Sequence, residues 1–459
     1  MLSKAPEMLN VPRRFRRRIT NLGLSLLALL VTWHLVLSPD STIRLAVHFN
    51  TARLLNGIRG GLTNRDKWLQ QPASHPLDLR EDVGYLIKTG YGTRHRVPEQ
   101  LEAFRAAGDF LGDEGRSFLV VGDWTSVNET DAALLGVDVL DAVRMVMEDK
   151  ISPAQRSHPR FSKYVGLQEA VAGGDEALAS HLGKSFGWEL DALKFIMGME
   201  LLHERLPGKK WYVILDDDTF VIKPSLELFL GHLDPEKPHY IGNAVGDFRG
   251  RFGHGGSGVV VSGAAMRKLF ARPDVVRAAY ARSLDETWGD KLVATTVQKL
   301  GIYIDEKHNH YFNGEPPEIT RIAADRFCSP LVSFHGLRKP GAMARVGRVL
   351  APAVEHPVLW GEVWRHFAPY PVATLGEQPA QKGQDHVGPP DEKVREWRGV
   401  ESAEECREKC RGDCLAWTYV ESHERCLASP WMVIGAEGAE AKVSGVNWKL
   451  VEKLVLECS

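Results

Sequence analysis

Three adjacent carboxylates, Asp216, Asp217 and Asp218, directly follow the apolar run Trp211 to Leu215. Crowded at a strand end, they repel one another unless a cation screens them, and hard divalent cations prefer carboxylate oxygen. A reaction that expels a diphosphate, such as cleavage of a sugar–diphosphate bond, needs such a cation against the charge that builds on the leaving group. The carboxyl end of a strand is also where α/β sheets place their ligand crevices. Asp218, with Asp216, is the expected metal ligand; Asp216 and Asp217 are expected to hold the nucleotide or to bridge through water. An acidic surface turn is the plain alternative. An aspartyl phosphotransferase pattern is disfavoured, because Phe220 stands where that pattern requires Thr or Val and Thr219 comes one place early.

Further side chains fit the same chemistry. His254-Gly255-Gly256-Ser257-Gly258 opens an apolar run; Gly255 and Gly256 would let the backbone approach a sugar closely, or would only make a tight turn. Transfer to a hydroxyl needs a general base away from the metal. Asp290, in Trp288-Gly289-Asp290, is the candidate, with Glu286 in reserve, although a helix N-terminal cap would use the same residue. His335 follows the apolar pair Leu331-Val332 and could complete the metal ligands from a strand end. Lys194 either faces the diphosphate or pairs with Asp191 three residues earlier.

These residues need an alternating frame. Val83 to Thr89, Ser117 to Gly122, Trp211 to Leu215 and Ser257 to Ser262 read as strands, and Glu189 to Leu202, Ala264 to Phe270 and Asp285 to Leu300 as helices. Such alternation implies a mostly parallel sheet flanked by helices. Length supports more than one folded unit. With a net charge of -2 and 25% charged residues, no electrostatic case exists for nucleic acid.

The ends differ from the middle. Arg13, Arg14, Arg16, Arg17 and Arg18 precede an uncharged apolar run, Ile19 to Leu37, long enough to span a bilayer with the arginines on the cytoplasmic side. A cleaved signal peptide is the alternative. Residues 1–18 are thus expected as a cytoplasmic tail, 19–37 as a membrane anchor, 38–79 as a stem, 80–370 as the main α/β domain, 371–393 as a linker and 394–459 as a cysteine-rich module. Asn128-Glu129-Thr130 is a glycosylation sequon. Cys406, Cys410, Cys414, Cys426 and Cys458 crowd the last stretch, with Cys328 apart. They suit disulfides of an oxidising compartment better than zinc, since no CxxC pair is present.

Taken in order, VILDDDTFV, HGGSGVVVS, WGDKLVATTV and SFHGLRKP resemble glycosyltransferase family 31, in its Fringe-like and core β1,3-galactosyltransferase-like branch. The resemblance covers roughly residues 82 to 340. It implies a GT-A fold, a UDP-sugar and inversion at the anomeric carbon, with Mn2+ or another divalent cation. It also implies that Asp218 and His335 bind the metal and that Asp290 is the base. The strand Tyr85-Leu86-Ile87-Lys88-Thr89, ending at Thr89 and with Arg94 downstream, looks like the nucleotide-contacting opening, and Asp123 like a base contact on the second strand. Ser257 in place of alanine, and GDKLVA in place of an EDVTVG type of segment, leave the sugar and the acceptor open. The acceptor is expected to be a glycoprotein or glycolipid and the location the Golgi or ER membrane, with the bulk of the chain lumenal. The tail, CREKCRGDCLAWTYVESHERC, resembles a PAN or apple module, which could hold the acceptor or only stabilise the chain. A catalytically silent lectin-like binder is the other class of function.

Overall fold

A computed structural model describes residues 21–458 except 26, 29–30, 61–65, 127–135, 354 and 436–441. The sequon at Asn128, the arginine-rich tail and part of the run Ile19 to Leu37 lie outside the described residues. Among the described residues no helix is long and apolar enough to cross a membrane. The expected spanning helix is therefore not part of the described structure.

Strands β1 (Val83–Lys88), β2 (Phe118–Gly122), β3 (Val139–Asp141), β4 (Trp211–Asp216), β5 (Phe220–Val221), β6 (Tyr240–Gly242), β7 (Ala244–Val245), β8 (Phe252–Gly253) and β9 (Val259–Ser262) build the first half. A six-stranded sheet runs in the order β3-β2-β1-β4-β9-β6. Strands β3, β2, β1 and β4 pair in parallel, and β9 is antiparallel to both β4 and β6. The strands β1, β2 and β4 are near-continuous apolar runs because helices cover both faces of the sheet; every residue of β1 is buried. In that register Lys88 lies opposite Asp216.

The helix Glu176–Arg205 starts at Asp175, whose side chain accepts from the Leu178 amide, and buries Leu190, Leu193, Ile196 and Met197. It begins well before the expected Glu189: Ala179, Gly183 and Phe186 continue its buried face, but two of the three are small and add little to an apolar period. Gly183 lies there for a packing reason: a Cβ on it would come 2.7 Å from the Gly92 amide nitrogen. The close approach presses the turn after β1 against the helix.

Two short strands follow, β10 (Ile322–Ala323) and β11 (Ser333–Phe334). β11 pairs antiparallel with β5, Phe334 opposite Phe220. This ribbon carries His335 back beside the aspartates.

The tail forms a five-stranded antiparallel sheet of β12 (Gln381–Lys382), β13 (Arg395–Arg398), β14 (Ala416–Val420), β15 (Arg425–Ser429) and β17 (Lys442–Val446), in the order β12-β17-β14-β15-β13. β16 (Trp431–Met432) instead pairs with β10. All six cysteines are bonded, as Cys328–Cys458, Cys406–Cys426 and Cys410–Cys414, which excludes the zinc alternative. The first bond ties the tail to the α/β part, and one apolar core includes residues from Leu45 to Leu454.

The segment expected as a linker, 371–393, contains β12 and the short helix Thr374–Glu377, with Leu375 and Val387 buried. Its proline and glycine content suits a short edge strand as well as a free tether. The segment expected as a stem contains the helix Thr42–Gly60, whose Leu45 and Phe49 are buried. Asp66 beyond it accepts hydrogen bonds from Tyr311 and Ser329 and pairs with His310.

Candidate metal centre and ligand cavity

A cavity of about 720 Å³ opens at the carboxyl ends of β1 and β4 and is lined by Asp216, Asp217, Asp218, Asp290 and His335 among others. The turn that carries the aspartates is clamped from below. Buried Gln100 donates to the carbonyls of Asp216 (2.8 Å) and Thr219 (2.7 Å), and Thr219 Oγ1 donates to the Gly256 carbonyl at 2.6 Å.

The adjacent aspartates have separate partners. Asp216 Oδ1 lies 2.7 Å from Lys88 Nζ. That ammonium also pairs with Asp191 at 3.1 Å and stands 3.5 Å over the Phe195 ring. Burial alone would lower the Lys88 pKa, but the charges of Asp191 and Asp216 raise it above the usual lysine range. Asp217 turns inward, with Oδ2 accepting from Thr89 (2.7 Å) and Thr93 (2.6 Å) and Oδ1 from Arg96 (3.2 Å). Burial pushes its pKa up to about 6 against the pull of Arg96. Asp218 meets His335 Nε2 at 3.2 Å and Arg338 Nε at 2.7 Å. Burial opposes ionisation there, yet His335 and then Arg338 hold the carboxyl well below its usual range.

Ligand atoms of Asp216, Asp218 and His335 lie within 4.8 Å of one another. His335 Nδ1 sits 3.1 Å from the Gly314 carbonyl, which can only accept, so Nδ1 carries a proton. Burial lowers the pKa of the ring, but the Asp218 carboxylate outweighs burial and raises it, so the Nε2 that faces Asp218 is a position that a proton or a cation can occupy. Gly256 makes room for this ring: a Cβ there would fall 2.2 Å from Nε2. Two hard oxygens and one imidazole nitrogen, held by second partners, fit a divalent cation such as Mn2+ or Mg2+.

Asp290 sits at the start of the helix Gly289–Gln298, on the wall facing Gly255. Oδ2 accepts from the Gly255 amide at 2.8 Å, and Oδ1 from the Lys291 amide at 2.8 Å. Burial lifts its pKa to about 6, with those two amides opposing. That value suits a base at near-neutral pH. Glu286, the reserve candidate, instead bonds the Thr287 amide, faces Lys291 and does not line the cavity.

Of the residues singled out in the sequence, Thr89, Asp191, Lys194, Asp216, Asp217, Asp218, Gly255, Gly256, Asp290 and His335 line one cavity. Arg94 and Asp123 do not. Arg94 bonds Glu176 at 2.8 Å and stacks on Tyr91, while Asp123 is fully buried, bonded to Lys194 at 2.9 Å and the Tyr91 amide at 2.8 Å. Neither alternative for Lys194 describes its partners, since it holds Asp123 and the Thr89 carbonyl, and Lys88 holds Asp191. Sequence reasoning gave no role of their own to the side chains of Lys88, Thr93, Arg96 and Arg338. A lone lysine ending the buried strand VGYLIK was the available signal for the first.

Residues 188–311 match the family model described as Fringe-like, a glycosyltransferase family. The matched segment carries Asp191, Asp216 to Asp218, Gly255, Gly256 and Asp290. His335 and the C-terminal unit fall outside it.

Proposed function

We propose that the chain is an inverting transferase that moves a hexose, of the galactose or N-acetylglucosamine type, from a UDP-sugar to a hydroxyl of a glycan acceptor on protein or lipid. The observation that carries this reading is the convergence of Asp216, Asp218 and His335 in the cavity that also contains Asp290. A divalent cation bound by the three, Mn2+ in our reading, supplies positive charge against the departing diphosphate. Thr89 and the Gly90 turn hold the nucleotide end, and the Gly255-Gly256 backbone walls the sugar. The acceptor oxygen bonds to the anomeric carbon from the face opposite the diphosphate as the carbon–oxygen bond to phosphate breaks. The acceptor proton passes to the Asp290 carboxylate, and UDP leaves.

A Golgi or ER membrane location with the bulk of the chain in the lumen belongs to the same proposal. The arginine cluster before Ile19, the exposed Leu22, Leu24, Leu27, Val31, Leu35 and Val36, and the three disulfides support it. We read the C-terminal sheet as a PAN-like module fixed to the transferase by Cys328–Cys458.

The test is release of UDP from a panel of UDP-sugars by the full chain in detergent with Mn2+, with and without chelator. Release abolished by chelator is expected. Release that ignores the chelator sinks the metal-dependent mechanism, and UDP binding without release or transfer to any acceptor would make the chain a binder.

A further inference from the structure

Of the chain's 12 tryptophans, Trp188 and Trp288 alone are exposed, at 56% and 59%, and both line the cavity that holds Asp290. A single exposed indole is ordinary, but two at one cavity place a large apolar area where a ligand would bind. Nothing in the metal centre uses either ring.

Their placement is built into the fold. Trp188, Asp191 and Phe195 recur at i, i+3 and i+7 on the helix Glu176–Arg205 and share its cavity-facing side. Trp288 immediately precedes the helix that begins Gly289-Asp290. Gly289 locks the two elements together: a Cβ on it would fall 2.2 Å from Phe195 Cδ2 and 2.9 Å from Ala192 Cα. Only glycine brings the Trp288-Asp290 pair so close to the helix of Trp188. The carboxylate is thus buried while the indole two residues earlier remains exposed at the same cavity.

We propose that Trp188 and Trp288 form the platform for the acceptor, and that the acceptor therefore presents a pyranose ring. The apolar C–H face of such a ring stacks on an indole, and its rim of hydroxyls stays free to reach Asp290. A peptide serine or threonine hydroxyl offers no such face. The inference rests on the transferase reading and adds the two residues that hold the terminal ring of its glycan acceptor.

Steady-state transfer by the full chain, with methyl glycosides of the common hexopyranoses and a Ser/Thr peptide as acceptors, tests it. Trp288→Ala and Trp188→Ala should each raise the KM for the accepted glycoside about tenfold, as expected for the loss of one aromatic contact. Trp288→Phe should restore most of the loss, and UDP affinity in Mn2+, read by calorimetry, should hold in all three. An unchanged glycoside KM in both alanine variants overturns the platform. So does a wild-type chain that uses the peptide and no glycoside. Failure of the wild type to bind UDP at all is a different result, because it removes the transferase reading beneath this one.

Discussion

Gly256→Ala tests the metal centre without touching a ligand. The added methyl would lie 2.2 Å from His335 Nε2, 2.5 Å from Cε1 and 2.6 Å from Cδ2. Ordinary contact requires about 3.5 Å, so the ring or the turn retreats by about 1 Å. The turn cannot easily yield, because Thr219 Oγ1 holds the Gly256 carbonyl at 2.6 Å and Ser333 Oγ holds that of Ser257 at 2.6 Å. The ring therefore moves, and Nε2 leaves the position that it shares with Asp216 and Asp218. Disturbing the support of a ligand costs roughly 10–100-fold in metal affinity, and overpacking adds about 1–3 kcal/mol of destabilisation. Free Mn2+ measured by electron paramagnetic resonance during titration of the full chain reads the affinity, and urea unfolding without metal reads the stability. Gly166→Ala, whose Cβ meets nothing within 4 Å, is the control for the substitution itself. Mn2+ affinity equal to wild type in a folded Gly256→Ala protein would refute the assignment of His335 as a ligand.

Asp290→Asn should lower transfer by roughly 10²–10⁴-fold while leaving Mn2+ affinity intact, measured by initial rates beside the same titration. Because burial lifts the Asp290 carboxyl to about 6, the base is lost to protonation as pH falls. The wild-type rate at saturating substrates should drop tenfold per unit below about pH 6 and stay level above it; an acid limb centred near pH 4 would contradict this role. Lys88→Met leaves Asp191 and Asp216, whose side chains are 35% and 31% exposed, without their shared cation, and because solvent screens them the cost in urea unfolding should be about 1–3 kcal/mol; a change under about 0.5 kcal/mol would show that the ion triad contributes little. Cys458→Ser opens a bond between residues 130 apart and should destabilise by about 4 kcal/mol. The bond Cys410–Cys414 spans only four residues, so Cys414→Ser should cost less on the same denaturation curve.

The frame of the site was legible because its strands are buried on both faces, so Val83 to Ile87 and Trp211 to Leu215 stand out as runs without a charge. The C-terminal sheet was harder to see. β12 is two residues long in a proline-rich stretch, and its pairing with β17 joins residues about 60 positions apart, which no local period records. The partners of the lysines were also hidden. An i, i+3 spacing made Asp191 the natural neighbour of Lys194, but Lys194 reaches across to buried Asp123 at the end of β2, and Lys88 from β1 takes Asp191 instead. Such exchanges depend on strand order, which spacing along one helix cannot reveal.

Adjacent acidic residues at a strand end can coexist without sharing one role. Asp216 ends β4, and Asp217 and Asp218 lie in the turn beyond it; all three border the cavity, but both oxygens of Asp217 are taken by Thr89, Thr93 and Arg96. The middle carboxylate therefore does not compete for a cation; it fixes the turn after β1 to the end of β4. Lys88 offsets Asp216 and Arg338 offsets Asp218, so the cluster is tolerated before any metal arrives. Arg338 is the replaceable partner, because its side chain is 64% exposed while that of Asp218 is 5% exposed. A cation that takes the Asp218 oxygens displaces a solvent-facing guanidinium, which regains its hydration while the cation replaces its charge beside the buried carboxylate, and leaves that guanidinium at the rim where a diphosphate would lie.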